Sequence, residues 1–525
     1  MIHRPLFALA LAAALGTGSF VTLAATAGAP PSTNIAWLAA AADADVDRAF
    51  ARARSENKPL LLYWGASWCP PCNRLKATLF NRQDFAQQAR SFVAVHVDGD
   101  RPGAQRLGAR FKVSGYPTLV LFNAAGTEIT RLPGEVDPEQ VLALLQLGMA
   151  GGRPVKAVLV DARAGKSLSA GEWRQLAFYS FATDHDQLLP KAELPSLLAQ
   201  LAVAAPAAER EIGDRLWLMA LAASNQGQGV KADATLRQRV QRVLADPALV
   251  RAHMDLVVGG ADDIVRTLAD DDKALRAPLL VAYDAVLARL QSDVSLARVD
   301  QLSALAARVA LARIDEPKAT VQLKVPASLG GELRAFVARA DREISDGYER
   351  QAVITEAAWT LGQAGLWTES NALLESNLAR SHSAYYLMSQ LGGNARKLGR
   401  KDEALRWYGQ AFDKSVGPAT RLQWGAGYLS ALVVLAPQDA ARIERVAGQL
   451  FAEAQQDSGA FDERSARSLQ RLGRKLASWN ADGKQAAVLG RLKARLDGVC
   501  ARIDAADARR RTCERLLDSA EAKAG

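Results

Sequence analysis

Two cysteines, Cys69 and Cys72, lie three residues apart where an apolar segment gives way to a predicted helix. Residues i and i+3 share one face of a helix, so the two sulfurs can close a small disulfide ring without moving the backbone. At a helix N-terminus, unpaired backbone N–H groups and the positive end of the helix dipole lower the pKa of a thiol. We therefore predict that Cys69 is the exposed nucleophile and that Cys72, one turn further in, is the resolving thiol.

The flanking segments predict a small α/β domain around this pair. Residues 59–64 form an apolar strand that runs directly into the cysteines, and residues 92–97 form a second strand after an amphipathic stretch. A hairpin with strands at 118–122 and 128–132 follows, and a helix from about 137 to 147 closes the domain. The predicted order is strand, helix, strand, helix, hairpin, helix.

Residues 68–72 read Trp-Cys-Pro-Pro-Cys, and residues 116–117 read Tyr-Pro. These residues resemble the redox motif and the cis-proline loop of the thioredoxin superfamily, and the resemblance covers about residues 40–149. It is greatest to periplasmic reducing domains such as the C-terminal domain of the thiol:disulfide interchange transporter, because residues 58–62 and 78–80 are also similar.

This resemblance implies a thioredoxin fold at residues 41–149 and thiol-disulfide oxidoreductase activity on protein disulfides, without a cofactor or a metal. It also implies that Trp68, Tyr116 and Pro117 bind substrate. In the family the proline lies in cis against the disulfide, and the residue before it offers its backbone to the substrate chain. A membrane-embedded electron donor for the dithiol is the partner that such domains use.

The chain departs from the family pattern at two places. Many thioredoxins carry a buried carboxylate where Tyr63 stands here, and the lysine often paired with it would fall near Ala94. The usual internal proton acceptor for Cys72 is therefore missing. Pro70 and Pro71 offer no N–H groups to the Cys69 thiolate, so we expect a smaller pKa depression than in strongly oxidising relatives, which favours a reductase or isomerase.

Two other roles of a Cys-x-x-Cys pair conflict with the sequence. If Cys69 and Cys72 were half of a zinc site, a second Cys or His pair at ligand spacing would be needed to complete it. The five histidines, however, are scattered singly. A c-type haem would need His directly after Cys72, and that residue is Asn73.

The N-terminus predicts export to the periplasm. A short basic segment precedes an apolar run at residues 5–23, and the Ala-Thr-Ala at 25–27 fits a cleavage site, so residues 1–27 are predicted to be a signal peptide and 28–40 a linker. The alternative is an uncleaved membrane anchor, but the Gly-Thr-Gly-Ser at 16–19 interrupts the apolar run. No later segment approaches the roughly 20 continuous apolar residues of a membrane span.

The remaining two cysteines, Cys500 and Cys513, are predicted to form a structural disulfide, because an exported chain with an even number of cysteines belongs in an oxidising compartment. The alternative is a second redox pair that exchanges electrons with Cys69 and Cys72. Nothing beside Cys500 or Cys513 resembles an activated thiol site.

After residue 149 the sequence predicts helices only, divided into regions 150–345, 346–420 and 421–525. Gly365 and Gly399 lie 34 residues apart in similar segments, which is the tetratricopeptide period. The expected architecture is an α-solenoid-like array of helical repeats. Such arrays bind proteins or peptides in a concave groove, mediate self-association, or act as spacers.

Six aromatic residues in this helical part are predicted to be core residues, because aromatics at helical spacing mostly pack inward. They are Trp359, Trp367, Tyr385, Tyr386, Trp407 and Trp424.

The formal net charge of +9 is modest for 525 residues, and basic residues alternate with acidic ones, so the sequence does not indicate nucleic-acid binding. Two functional hypotheses follow. The first is a periplasmic thiol-disulfide oxidoreductase positioned by its helical region. The second is a helical-repeat interaction scaffold in the cell envelope, whose thioredoxin-like domain is a redox sensor or tether.

Overall fold

The computed structural model describes residues 35–134, 137–184, 187–224, 228–317, 320–323 and 325–518. The predicted signal peptide at residues 1–27 lies outside the described residues.

The first domain is built on a five-stranded mixed sheet. Its strands are β1 (Leu38–Ala40), β2 (Leu60–Gly65), β3 (Val93–Asp98), β4 (Thr118–Phe122) and β5 (Glu128–Leu132). Their order is β1-β3-β2-β4-β5, with β1, β3 and β2 parallel and with β4 antiparallel to both β2 and β5. Four strands agree with the sequence prediction to within one residue. The prediction missed β1, because three residues are too short to show an alternating pattern.

Five helices complete this domain: α1 (Asp43–Ser55), α2 (Pro70–Ala77), α3 (Gln83–Gln88), α4 (Ala104–Phe111) and α5 (Pro138–Met149). Successive residues of a strand face opposite sides of the sheet. Accordingly Leu61 and Tyr63 enter the core on one face, whereas Leu62 and Trp64 enter the core on the other. This arrangement confirms the predicted thioredoxin-like α/β fold, with β2 at the centre of the sheet and both of its faces buried.

The rest of the described chain is helical, as predicted. Its twenty helices are α6 (Val155–Arg163), α7 (Ala170–Ala177), α8 (Leu194–Ala204), α9 (Arg210–Ala223), α10 (Ala234–Ala245), α11 (Pro247–Ala252), α12 (Met254–Gly259), α13 (Ala261–Ala269), α14 (Lys273–Ser292), α15 (Arg298–Ala312), α16 (Ala327–Glu343), α17 (Gly347–Gln363), α18 (Trp367–Asn377), α19 (Ala384–Lys397), α20 (Lys401–Lys414), α21 (Pro418–Leu435), α22 (Ala440–Gln456), α23 (Glu463–Trp479), α24 (Ala486–Cys500) and α25 (Ala508–Glu514).

The two glycines that carry the 34-residue period occupy equivalent turns. Gly365 follows α17 with φ +78°, and Gly399 follows α19 with φ +76°. L-residues with a side chain rarely adopt this left-handed region, so glycine suits both turns. The assignment of residues 346–420 to tetratricopeptide-like pairs stays a prediction.

The helical part folds back onto the thioredoxin-like domain on two sides. Helices α6 to α9 share the hydrophobic core that covers one face of the sheet. Helix α17 packs against α2, and α23 packs against α4. The second contact includes a hydrogen bond from the Gly103 backbone N–H to Asp457 at 2.8 Å and one from the Arg464 backbone N–H to Gln105 at 3.1 Å. The elements that carry the dithiol therefore lie inside an interdomain interface.

The last two helices are joined covalently. A disulfide links Cys500, at the end of α24, to Cys513 in α25, across 13 residues of sequence. Both cysteines are buried in the core that α21 to α24 also share.

We expect the double substitution Cys500→Ser with Cys513→Ser to lower the free energy of unfolding. A cross-link that closes a loop of this length reduces the entropy of the unfolded chain, which is worth about 3 kcal/mol in the chain-entropy model. Urea unfolding without reductant, followed by helical circular dichroism, measures the loss. Unfolding at the wild-type urea concentration would contradict a stabilising role for this disulfide.

Candidate active site

The dithiol lies at the junction between β2 and α2. Strand β2 ends at Gly65, and Cys69 is the N-cap residue of α2. A disulfide joins Cys69 to Cys72, and the Cys72 backbone N–H donates to the Cys69 Sγ at 3.2 Å. Because Pro70 and Pro71 have no N–H, Cys72 supplies the first backbone donor of the helix.

Asn73, which the sequence reasoning used only to exclude a haem, fixes the loop that carries the dithiol. Its side chain is fully buried. The Nδ2 group donates to the Ser67 carbonyl at 2.7 Å and to the Cys69 carbonyl at 2.9 Å. A polar residue directly after the second cysteine was the signal that could have revealed this role.

The prediction that Cys69 is exposed is wrong. Cys69 is 2% exposed and Cys72 is 0% exposed. The physical reason is that the helical region covers the motif: His382 Nε2 lies 3.0 Å from the Ser67 carbonyl, and Gln351 donates to the Trp68 carbonyl at 3.3 Å. Of the two cysteines, Cys69 lines a cavity at this interface and Cys72 does not.

The cis-proline loop lies at the edge of the same cavity. The Tyr116-Pro117 peptide bond is cis. The Tyr116 hydroxyl accepts a hydrogen bond from Gln105 at 2.7 Å, and its ring packs edge-on against Trp68 with centroids 6.2 Å apart. Trp68, Cys69 and Tyr116 all line the cavity, whereas Pro117 does not and instead lies close to Gly134.

Asp100 holds the tryptophan of the redox motif and two distant helices together. Its carboxylate accepts hydrogen bonds from Trp68 Nε1 at 2.7 Å and from the Thr420 hydroxyl at 2.5 Å, and it lies 3.4 Å from Arg464 Nη1. Asp100 is 9% exposed, and burial raises its pKa, although Arg464, Thr420 and Trp68 oppose that shift. Sequence reasoning missed this cluster, because Thr420 and Arg464 are more than 300 residues away.

Side chains of the helical region enclose Trp68. Tyr386 stacks on it with centroids 5.9 Å apart, Trp424 packs edge-on at 5.0 Å, and the Arg464 guanidinium lies 4.4 Å from its ring centroid. Tyr386 and Trp424 therefore form part of the site. The prediction that the six aromatics are core residues is wrong for Trp359, which is 51% exposed.

Two neutral rings occupy the region where many thioredoxins have a buried carboxylate. Tyr63 is buried and stacks on His96 with centroids 4.8 Å apart. Burial raises the pKa of Tyr63, and burial followed by the charge of Lys76 lowers the pKa of His96 to about 4. Neither group carries a charge at neutral pH.

The interface cavity has a volume of about 610 Å³. It adjoins a second cavity of about 500 Å³, and the two share Trp68, Tyr386, Gln423 and Arg471 in their walls. Within the described ranges, no group of three or more His, Cys, Asp or Glu side chains is placed to hold a metal ion. None of the described helices is both long and apolar enough to cross a membrane.

Comparison with known proteins identifies the first domain. Residues 46–148 match the family model of the thioredoxin-like domain. The chain is 33% identical over 129 residues to the thiol:disulfide interchange protein DsbD 2 of Pseudomonas aeruginosa, a match that covers 23% of this chain and 22% of the relative. It is 31% identical over 98 residues to DsbD of Yersinia pestis, covering 18% and 16%.

The matching part spans about a fifth of the length of these relatives. Among solved structures, a DsbH oxidoreductase is similar at 21% identity, covering 22% of this chain and 86% of that chain with a TM-score of 0.20. Residues 46–148 are thus a thioredoxin-like domain with similarity to thiol:disulfide interchange proteins.

We expect Thr420→Val to destabilise the protein by about 1–3 kcal/mol at pH 7, because a buried carboxylate loses a hydrogen-bond donor. A carboxyl with a raised pKa binds a proton more readily in the folded chain than in the unfolded one, so stability falls as pH rises through its pKa. Losing Thr420 raises the pKa of Asp100 further. The destabilisation should therefore be full at pH 7 and should shrink as pH falls through the pKa of Asp100.

Urea unfolding of wild type and variant at pH 7 and pH 4 measures this difference. Thr360→Val is the matched control, because Thr360 is fully buried and its hydroxyl has no hydrogen-bond partner in the described structure. An equal destabilisation at both pH values would show that Thr420 does not act through the charge of Asp100.

We also expect Tyr386→Ala to accelerate alkylation of reduced Cys69 several-fold, because Tyr386 forms a wall of the cavity through which Cys69 is reached. The rate of iodoacetamide labelling measures the effect. Tyr348→Ala is the control, since Tyr348 is an exposed tyrosine that packs on Lys76 and does not line this cavity. Equal labelling rates in the two variants would mean that Tyr386 does not limit access.

Proposed function

We propose that this protein is a thiol-disulfide oxidoreductase that acts on protein disulfides in the periplasm, as a reductase or an isomerase. The observation that carries the proposal is the position of Cys69 and Cys72 at the N-terminus of α2, with Cys69 lining the same cavity as Tyr116 of the cis-proline loop. The similarity of residues 46–148 to thiol:disulfide interchange proteins supports it. The signal-like pattern of residues 1–27 supports the periplasmic location.

The reaction begins with the reduced pair. The Cys69 thiolate attacks one sulfur of the substrate disulfide, and the other substrate sulfur leaves as a thiolate that takes up a proton. The Cys72 thiol then loses its proton and attacks the Cys69 Sγ, which releases the second substrate thiol and closes the Cys69–Cys72 disulfide. Two electrons pass from the dithiol to the substrate.

The oxidised pair must then regain two electrons from a dithiol donor, and we propose a membrane-embedded donor. The reduction potential of the pair, titrated against glutathione, tests the direction of electron flow. A reduction potential of about −270 mV is typical of a thioredoxin-like reductant, whereas a potential of about −120 mV would make the protein an oxidant.

A second candidate function is an interaction scaffold in which the thioredoxin-like domain senses redox state or tethers a partner. The burial of both cysteines under the helical region favours this alternative, because a general reductase needs an accessible thiol. The neutral Tyr63 and His96 pair also favours it, since Tyr63 stands where many thioredoxins carry the carboxylate that accepts the proton.

We expect Cys69→Ser to abolish reduction of insulin, because the attacking thiolate is lost. The double substitution Cys500→Ser with Cys513→Ser is the matched control and should retain activity. Insulin turbidity measures both variants. Full activity of Cys69→Ser would refute the oxidoreductase proposal, and loss of activity in the control would assign a redox role to the second pair.

Trapping separates the two candidate functions. In Cys72→Ser an oxidoreductase keeps its substrates bound through a mixed disulfide on Cys69, and reductant releases them. In Cys69→Ser these complexes disappear. A scaffold would retain the same partners in both variants and would not release them on reduction.

A further inference from the structure

One wall of the cavity that leads to Cys69 is a row of arginines on α23. They are Arg464, Arg467, Arg471 and Arg474. Their spacing of three, four and three residues places them on one face of the helix. The fourteen described residues that line the cavity include these four arginines and no carboxylate.

Only two of the four arginines are paired with a carboxylate in the described structure. Arg464 lies 3.4 Å from Asp100, and Arg467 lies 2.8 Å from Glu463. Among the described residues, Arg471 donates only to the Ser468 hydroxyl, at 3.2 Å. Arg474 borders a small pocket together with Asp518, but no ion pair joins them.

Among the described residues, the carboxylates paired with the arginine row therefore balance only part of its positive charge. Partial burial and the neighbouring Arg464, Arg467 and Arg474 lower the pKa of Arg471, as expected for a cation among cations. Arg471 and Arg474 are exposed and line the cavity, so their guanidinium groups are available to an anion there. Arginine is well suited to carboxylates.

The length of the row indicates the size of the anion. Arg464 and Arg474 lie ten residues apart on α23, which corresponds to about 15 Å of helix. An extended peptide rises about 3.3 Å per residue, so this length corresponds to four or five residues. Gly115 and Tyr116 of the cis-proline loop line the same cavity as the row, so a segment whose cysteine reaches Cys69 would pass alongside the arginines.

We propose that the substrate disulfide is carried by an extended acidic peptide segment, whose Asp or Glu side chains bind the Arg464 to Arg474 row while its cysteine reacts with Cys69. This substrate class rests on the proposed oxidoreductase function and makes it specific. An extended segment suits the site, because α17 packs on α2, side chains of α19, α21 and α23 surround Trp68, and the cavity has a volume of about 610 Å³.

The test uses the reduced full-length protein and three peptide disulfides of equal length, with acidic, neutral amide or lysine residues on both sides of the cysteine. We expect the acidic peptide to be reduced at least ten-fold faster than the neutral one and the lysine peptide to be slowest. The preference should weaken at 0.5 M salt, because salt screens charges that meet in solvent. Equal rates for the acidic and neutral peptides would overturn the acidic substrate class and leave the oxidoreductase function standing.

Failure to reduce any of the three peptides would instead refute the oxidoreductase function, and the substrate class with it. Oxidised glutathione, which has carboxylates but no extended acidic segment, should react no faster than the neutral peptide. A rate equal to that of the acidic peptide would assign the site to small anionic disulfides and overturn the peptide proposal.

Two variants connect the preference to the arginine row. Arg471→Gln and Arg474→Gln should each reduce the ratio of acidic to neutral rates about three-fold. Lys475→Gln is the matched control, because Lys475 is an exposed cation on the same helix that does not line the cavity. An unchanged ratio in both arginine variants, or an equal loss in the lysine variant, would contradict binding to the row.

Discussion

The buried carboxylate of Asp100 connects the redox motif to the helical region. It accepts hydrogen bonds from Trp68 of the motif and from Thr420 of α21, and it faces Arg464 of α23. A charge removed from water is costly unless donors and an opposite charge surround it. The packing that buries Asp100 disfavours its anionic form, and Trp68, Thr420 and Arg464 offset part of that penalty.

This arrangement changes what the thioredoxin-like domain can do. The sequence predicts an exposed first cysteine, whereas here Cys69 is 2% exposed. The helices that cover Cys69 also contribute walls to the cavity that leads to Cys69. Burial of the dithiol and the proposed selection of its substrate thus have the same structural cause, which is the packing of α19, α21 and α23 around Trp68.

Two groups of side chains differ in charge near the dithiol. Tyr63 and His96 in the core are neutral, and the arginines of α23 line the same cavity as Cys69. Positive groups near a cysteine favour its thiolate form. A row of cations can thus both activate the sulfur and attract an acidic segment, which gives the helical region a direct part in the proposed reaction.

The sequence by itself determined the thioredoxin-like fold, the helical character of the remainder and the identity of the dithiol. Those features depend on local patterns, namely an apolar strand before Cys69, Cys72 one turn later and helical periodicity after residue 149. Only the tertiary structure decided that Cys69 is covered and that Asp100, Thr420 and Arg464 meet. These contacts join residues more than 300 positions apart, and no local pattern records which helix face packs on which domain.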